Sequence, residues 1–446
     1  MRKCDPNRAG QGWQAEDFMV KKINLFVFAT HHSTNNIASQ RFKGLLKYLD
    51  FQKYRVFIFA RDGGPDLGAA MMAAGSDITV MNLRGRCVGN ESSVSSSIVS
   101  LLSAFVAEVP FLTAATDRLI GRHSDIWLVN ALTAADALCR ERLADGEACI
   151  AVGTYSPIDA LIAARSLAAK HRIPCLQDFR DGLTFETLGR QGKLSALLRQ
   201  WVETRVVASS QLVTTVSRAL VSDFERRYPG KQVRLMPNGY DPADFSMQDD
   251  ASHAAAAQLM AQHVPAGKRV IGHFGRIGTS DHSRISTLEC FVRSMNASHQ
   301  ARQHAHALFI GELAPVERTI ISQLSCTYST VDAVPRPVAL DVMKHCNQLL
   351  LITGDGVGCA TGKLFEYLAA GPDVICFSGV TNEASHILSE TGAGITILIA
   401  DEVTAAGTLD RIFSTSPGIS AIRRIGAYSK VEQVRQFDRW LSGMVA

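Results

Sequence analysis

The chain has 446 residues, 46% of them hydrophobic and 20% charged, with a formal net charge of +4. That length exceeds one ordinary core and predicts two sizeable domains of a soluble globular protein, while the weak positive balance excludes nucleic acid as a partner. Ten cysteines lie scattered, with no Cys-x-x-Cys pair and no paired histidine spacing, so neither a zinc site nor a disulfide framework is expected and a reducing, cytoplasmic compartment is.

Residues 1–20 are polar and mixed in charge, a tail without the features of a secretory signal. Ile23 to Ala29 is a near-continuous apolar run, as a buried parallel strand requires. The loop Thr30 to Asn36 follows, then a helix from Ala38 to Leu49. Val56 to Ala60 and Ile78 to Val80 read as the next strands. A serine-rich connector, Ser92 to Ser97, leads to the apolar stretch Ile98 to Thr116, which contains Glu108 and Pro110. That stretch reads either as a buried helix pair or as a helical segment touching a membrane surface peripherally. Strands recur at Cys149 to Gly153, Ile173 to Asp178, Gln211 to Val216 and Val233 to Met236. A helix reaching Lys170 follows the first of these.

Between Ser246 and Gly267 the alternation lapses into Ala-, Gln- and Asp-rich sequence, the expected linker. It resumes with Val270 to Phe274, Ala307 to Ile310, Leu349 to Thr353, Val374 to Phe377 and Ile395 to Leu398. An amphipathic helix closes the chain, Val431 to Leu441. Strands alternating with helices predict parallel sheets covered on both faces. The expected division is a first α/β domain over 21–245, a linker over 246–267, a second α/β domain over 268–427 and a closing segment over 428–446. Residues 1–250 hold 30 Lys+Arg against 26 Asp+Glu and the remainder 16 of each, so the excess lies in the first half and suits an anionic surface or acceptor.

Ligands of open parallel sheets bind beyond the carboxyl ends of strands. Gly275-Arg276-Ile277-Gly278 stands at such an end. Its glycines admit backbone close to a ligand and Arg276 suits a phosphate; a tight turn with a solvated arginine is the alternative. Asp355-Gly356-Val357-Gly358 leads into Gly362-Lys363-Leu364-Phe365-Glu366-Tyr367-Leu368, a short helix stopped by Gly371-Pro372. A helix opening with Gly and Lys beyond a strand favours an anion, and Glu366 suits vicinal hydroxyls. In the first half, Asp178-Phe179-Arg180-Asp181 reads as a sugar-orienting trio or as an internal ion pair. His31 and His32, just past the first strand, read as a base, a sugar contact or surface histidines.

The order of these stretches resembles the GT-B glycosyltransferases of the family 4 type. The resemblance rests on Ser39-Gln40-Arg41-Phe42, Thr154-Tyr155-Ser156-Pro157 with Ile173-Pro174, Asp178-Phe179-Arg180-Asp181, and Leu212 to Ser217 with Pro237-Asn238-Gly239-Tyr240-Asp241. It continues through Gly275-Arg276, Ile310-Gly311 and Lys363 to Gly371, and so spans about Lys21 to the end. It implies two Rossmann-like domains facing across a cleft, the last helix crossing back onto the first. By the same resemblance the second domain binds a UDP- or GDP-linked sugar and the first a glycan or lipid-linked acceptor. The enzyme would retain anomeric configuration without a metal or other cofactor. Arg276 and Lys363 would neutralise the leaving diphosphate, Glu366 would hold the ribose, and Gly275, Gly356, Gly358 and Leu364 would line the donor. His31, His32, Asp178, Arg180 and Asp181 would face the acceptor.

Three departures stand beside it. The family's Glu-x7-Glu pattern ends at Glu366 but begins here at Gly358, no glycine lies between Thr30 and Lys43, and Arg284 stands nearest the expected lysine. A non-catalytic binding or scaffold protein and a sugar-nucleotide epimerase of the same architecture remain alternatives.

Overall fold

The computed structural model describes residues 21–33, 37–61, 76–87, 126–155, 157–185, 193–246, 249–278, 282–400, 402–414 and 423–446. The segments Ser92 to Ser97 and Ile98 to Thr116 lie outside them. Seven strands form the first sheet: β1 (Ile23–Phe28), β2 (Tyr54–Arg61), β3 (Ile78–Leu83), β4 (Ala148–Tyr155), β5 (Cys175–Phe179), β6 (Leu212–Thr215) and β7 (Gln232–Leu235). Six form the second: β8 (Arg269–Phe274), β9 (Ala305–Ile310), β10 (Thr327–Val331), β11 (Gln348–Ile352), β12 (Asp373–Ser378) and β13 (Gly394–Leu398).

The spatial orders are β3-β2-β1-β4-β5-β6-β7 and β10-β9-β8-β11-β12-β13, and every pairing is parallel. Central strands are buried on both faces, which explains their unbroken apolar runs; edge strands are not. All six residues of β9 are buried, whereas β10 carries the polar sequence TYSTV with an exposed start. A sequence reading keyed to apolar runs passes over such an edge strand. In each sheet the strand order reverses once, at β1/β4 and at β8/β11, and helices cover both faces. The architecture is two α/β lobes with doubly wound parallel sheets, as the alternation predicts.

The stretch 246–267 differs from the expected linker. It contains a helix, Asp250–His263, because alanine is the best helix former and Asp249 caps the first turn by accepting from Ser252 N at 2.8 Å. Its Ala256 and Leu259 pack into the second lobe's core. The closing helix, Lys430–Val445, runs back to the first lobe. Its Val434, Phe437 and Leu441 share a core cluster with Phe42, Leu45, Leu46 and Tyr54. The outgoing and returning strands of chain meet side by side: Tyr240 N donates to Tyr428 O at 3.0 Å and Lys430 N to Tyr240 O at 2.9 Å. Among the described residues, no helix is long and apolar enough to cross a membrane.

Candidate functional site

The second lobe's switch point is built around the turn after β8. Gly275 has φ +76°, and Gly311, after β9, has φ +136°. A Cβ on Gly311 would fall 2.8 Å from Gly275 Cα, so glycine is required for the two loops to touch. The turn is held from beneath by Glu317, which is buried. Its Oε1 accepts from Gly278 N at 3.0 Å and its Oε2 from Ala314 N at 2.8 Å. Glu317 is the third residue of helix Pro315–Ile321, and the Pro-x-Glu spacing is the sequence signal that points to it.

The helix Gly362–Ala370 stands against the same strand. Tyr367 is buried, and its hydroxyl accepts from Phe274 N at 2.9 Å, fixing the helix to β8. Gly371, at φ +109°, ends it. Lys363 in its first turn is half-buried and reaches back across Gly275. A Cβ on Gly275 would come within 3.5 Å of Lys363 Cε. Lys363 Nζ donates to Arg276 O and lies 3.2 Å from His273 Nε2. His273 is buried on β8, and its Nδ1 stands 3.0 Å from Leu350 O. A carbonyl only accepts, so Nδ1 carries the proton and Nε2 presents its lone pair to the ammonium. Burial, and then the charge of Lys363, hold His273 well below its ordinary pKa and keep it neutral. Burial, with the nearby Arg284 charge, pushes the Lys363 ammonium down to about 7. Periodicity gives no sign of His273, which lies within an apolar strand.

Arg276 is exposed and ion-paired with Glu312, itself exposed, through Nε at 2.8 Å. Such a solvated pair contributes about 0–1 kcal/mol and exchanges readily for a better anion. Arg284 joins the group, its Nη1 donating to Ile277 O at 3.1 Å. Gly356 and Gly358 lie in the loop from Thr353 to Thr361. The start of helix Glu383–Thr391 holds that loop, Glu383 N donating to Val357 O at 2.9 Å and Ala384 N to Cys359 O at 3.1 Å. Glycine turn, lysine and two arginines therefore converge beyond β8 and β11.

Two expected donor contacts sit differently. Leu364 is buried in the core with Phe274 and Leu351, because it faces the sheet one residue beyond Lys363; its side chain is packing. Glu366 is ion-paired to Arg336 Nη1, and Arg336 Nη2 pairs with Asp244 at 2.7 Å. Arg336, on helix Arg336–His345, is a neighbour that no local spacing reveals.

In the first lobe the trio Asp178, Arg180 and Asp181 separates. Asp178 is fully buried and accepts from Arg41 Nε at 3.0 Å and Nη2 at 2.8 Å, from Thr214 Oγ1 at 2.8 Å and from Thr154 Oγ1 at 3.1 Å. Burial alone would raise its pKa. Arg41 and the two hydroxyls outweigh burial and hold it below the ordinary carboxylate value. Asp178 is thus an internal ion pair closed off from any acceptor, because Arg41, from helix Ile37–Leu46, covers it. Arg41 also donates to Met236 O at 2.7 Å and Pro237 O at 3.2 Å, tying β5 to the chain leaving β7. Arg180 is half-buried, with its Nε on Tyr155 O at 2.6 Å, and Asp181 is exposed. His32 is buried and His31 half-buried. Burial, then Arg180, then Arg61 hold the His31 imidazole below its ordinary pKa. The lobes also meet through Arg218, whose backbone N donates to Glu383 Oε2 at 2.8 Å and whose Nη2 pairs with Glu390 at 2.6 Å.

Residues 38–239 match the model of the glycosyl transferase 4-like domain. No curated protein sequence matches the chain. Among solved structures it is similar to a sucrose-phosphate synthase from Thermosynechococcus elongatus, with TM-score 0.58, 16% identity, and 95% of this chain and 96% of that one covered. It is also similar to Anabaena HepE in complex with UDP and glucose, with TM-score 0.56, 13% identity, and 95% and 100% covered. A third is an α,α-trehalose-phosphate synthase (UDP-forming) from Burkholderia xenovorans in complex with glucose-6-phosphate, with TM-score 0.56, 12% identity, and 94% and 99% covered.

Proposed function

We propose that this chain, which carries a glycosyl transferase 4-like domain over residues 38–239 within a GT-B fold, moves a sugar from a nucleotide-sugar donor to an acceptor held by the first lobe. The observation that carries the reading is the Lys363 ammonium, set over the Gly275–Gly278 turn by His273 Nε2 and Arg276 O at the β8/β11 crevice. A diphosphate placed there meets Lys363, Arg276 and Arg284 and, one helical turn on, the Glu366 carboxylate. The cations neutralise the leaving diphosphate in place of a metal, and Glu366 takes the ribose hydroxyls by its second oxygen or by releasing Arg336. The departing phosphate takes the acceptor's proton, with retention of configuration. UDP is the preferred donor carrier, since HepE is seen with UDP and glucose. The acceptor is a glycan or lipid-linked sugar of the cell envelope, met at the cytoplasmic membrane face.

A thermal-shift screen of UDP, GDP and their sugars tests this directly. UDP or a UDP-sugar should raise the melting temperature, and Glu366→Ala should weaken that binding. If no nucleotide or nucleotide sugar stabilises the chain, the transferase reading is lost. Gly358, where the family places a carboxylate against the donor sugar, favours a second reading, a nucleotide-binding scaffold. Tight UDP-sugar binding without turnover on any envelope acceptor would select it.

A further inference from the structure

We infer that Arg336 is a positioning residue for the donor's ribose, setting the Glu366 carboxylate from an anchor, Asp244, in the segment that joins the lobes; this rests on the donor reading of the same site. Arg336 forks between two carboxylates. Its Nη1 donates to Glu366 Oε1 and its Nη2 to Asp244 Oδ2 at 2.7 Å. Among the described residues Glu366 Oε2 has no hydrogen-bond partner, and a carboxylate oxygen has room for two donors. One oxygen therefore fixes the orientation of the carboxylate while the other meets the ribose diol, and Arg336 does not have to leave.

The mount of this arginine serves no local purpose. Arg336 opens helix Arg336–His345, where a cation opposes the helix dipole and no acidic residue stands in the first turn. Pro335 and Pro337 flank it and fix the backbone on both sides. A charge set against the dipole, on a rigid mount and bonded to two carboxylates, points to orientation rather than helix stability. Asp244 is firmly placed too. It lies in the short helix Pro242–Ser246 after β7, where Phe245 packs against the second lobe's core and Lys344 Nζ donates to Phe245 O at 3.4 Å. Asp241, three residues earlier, accepts from Lys47 Nζ at 2.7 Å and from the Tyr48 hydroxyl, both in the first lobe. Through Arg336 the ribose carboxylate is thus referenced to a turn that both lobes hold. Without Arg336, Glu366 and Asp244 would stand as neighbouring like charges, and Glu366 would lose its fixed orientation.

The test is calorimetry on the full chain with UDP and with 2′,3′-dideoxy-UDP, which lacks the ribose hydroxyls and keeps the diphosphate. Arg336→Ala should weaken UDP about tenfold while leaving the dideoxy analogue within about twofold of the parent. Asp244→Asn should follow in smaller measure. Arg336→Lys, which keeps the charge but cannot fork, should recover part of the loss. In a Glu366→Ala background Arg336→Ala should add nothing, since its effect passes through that carboxylate; a merely structural role would weaken both ligands in either background. Equal losses for UDP and the analogue, additive losses with Glu366→Ala, or tighter UDP binding in Arg336→Ala overturns the inference, the last by making Arg336 a competitor for the carboxylate. Should Arg336→Ala fail to fold, Asp244→Asn and Arg336→Lys carry the same decision. A parent chain that ignores UDP removes the donor reading and this inference with it, whereas UDP binding indifferent to Arg336 removes the inference alone.

Discussion

Lys363 offers the sharpest handle on the donor site. Its ammonium is pushed down to about 7 by burial and by Arg284, against an ordinary value of 10.5. Only the charged form attracts a diphosphate. At pH 6 about nine-tenths of the free protein carries that proton, and at pH 9 about one-hundredth does. If binding requires it, UDP affinity is greatest below pH 7 and falls about tenfold per unit above, a loss of about 100-fold or 2.7 kcal/mol by pH 9. His273 does not blur the window, being neutral throughout, and the terminal phosphate of UDP, with a pKa of about 6, is ionised above pH 7. Calorimetry in buffers of different ionisation enthalpy measures both quantities, because each UDP bound at pH 8 should take up close to one proton. Lys363→Gln should bind weakly at every pH with no uptake, and Lys363→Arg should flatten the profile while keeping the charge. A wild-type affinity constant from pH 7 to 9, without proton uptake, would refute the placement of that ammonium on the diphosphate.

Other perturbations test the scaffold. Asp178→Asn leaves the Arg41 guanidinium buried without its counter-charge and should cost about 3–5 kcal/mol, on the order of 10 °C in the first lobe's melting temperature by calorimetry; replacing both partners with apolar residues should recover much of it. Phe437→Ala empties a buried site that meets Phe42 edge-to-face at 6.3 Å and should cost about 3–5 kcal/mol, read as a shifted urea midpoint.

Most of the strand positions were legible because strands buried on both faces, such as β1 and β11, have no choice but continuous apolar sequence; their spatial order was not. The edge strand β10 escapes that logic, and the helix Asp250–His263 was hidden because an alanine-rich segment has little amphipathic contrast. At the site, glycine turns and the helix opening with Gly362-Lys363 could be read from local order alone. The partners could not. His273, Glu317, Arg284 and Arg336 act through contacts that the fold makes across many residues, and Asp178 looks like a ligand residue until Arg41 is seen lying over it. A strand-end carboxylate marks a position where ligands bind; whether solvent reaches it is decided elsewhere in the chain.

The return of helix Lys430–Val445 to the first lobe also bears on how the molecule is made. During synthesis the cluster that Phe42, Leu45 and Leu46 of helix Ile37–Leu46 form with the first sheet stays incomplete until residues 430–445, which bring Val434, Phe437 and Leu441 to it, leave the ribosome. By then the second lobe has emerged and can close its own core. The first lobe, begun earliest, is finished last, and it waits with an apolar groove open to other chains and to chaperones. Truncation within that helix would therefore harm the yield of folded protein before it touched a single residue of the cleft.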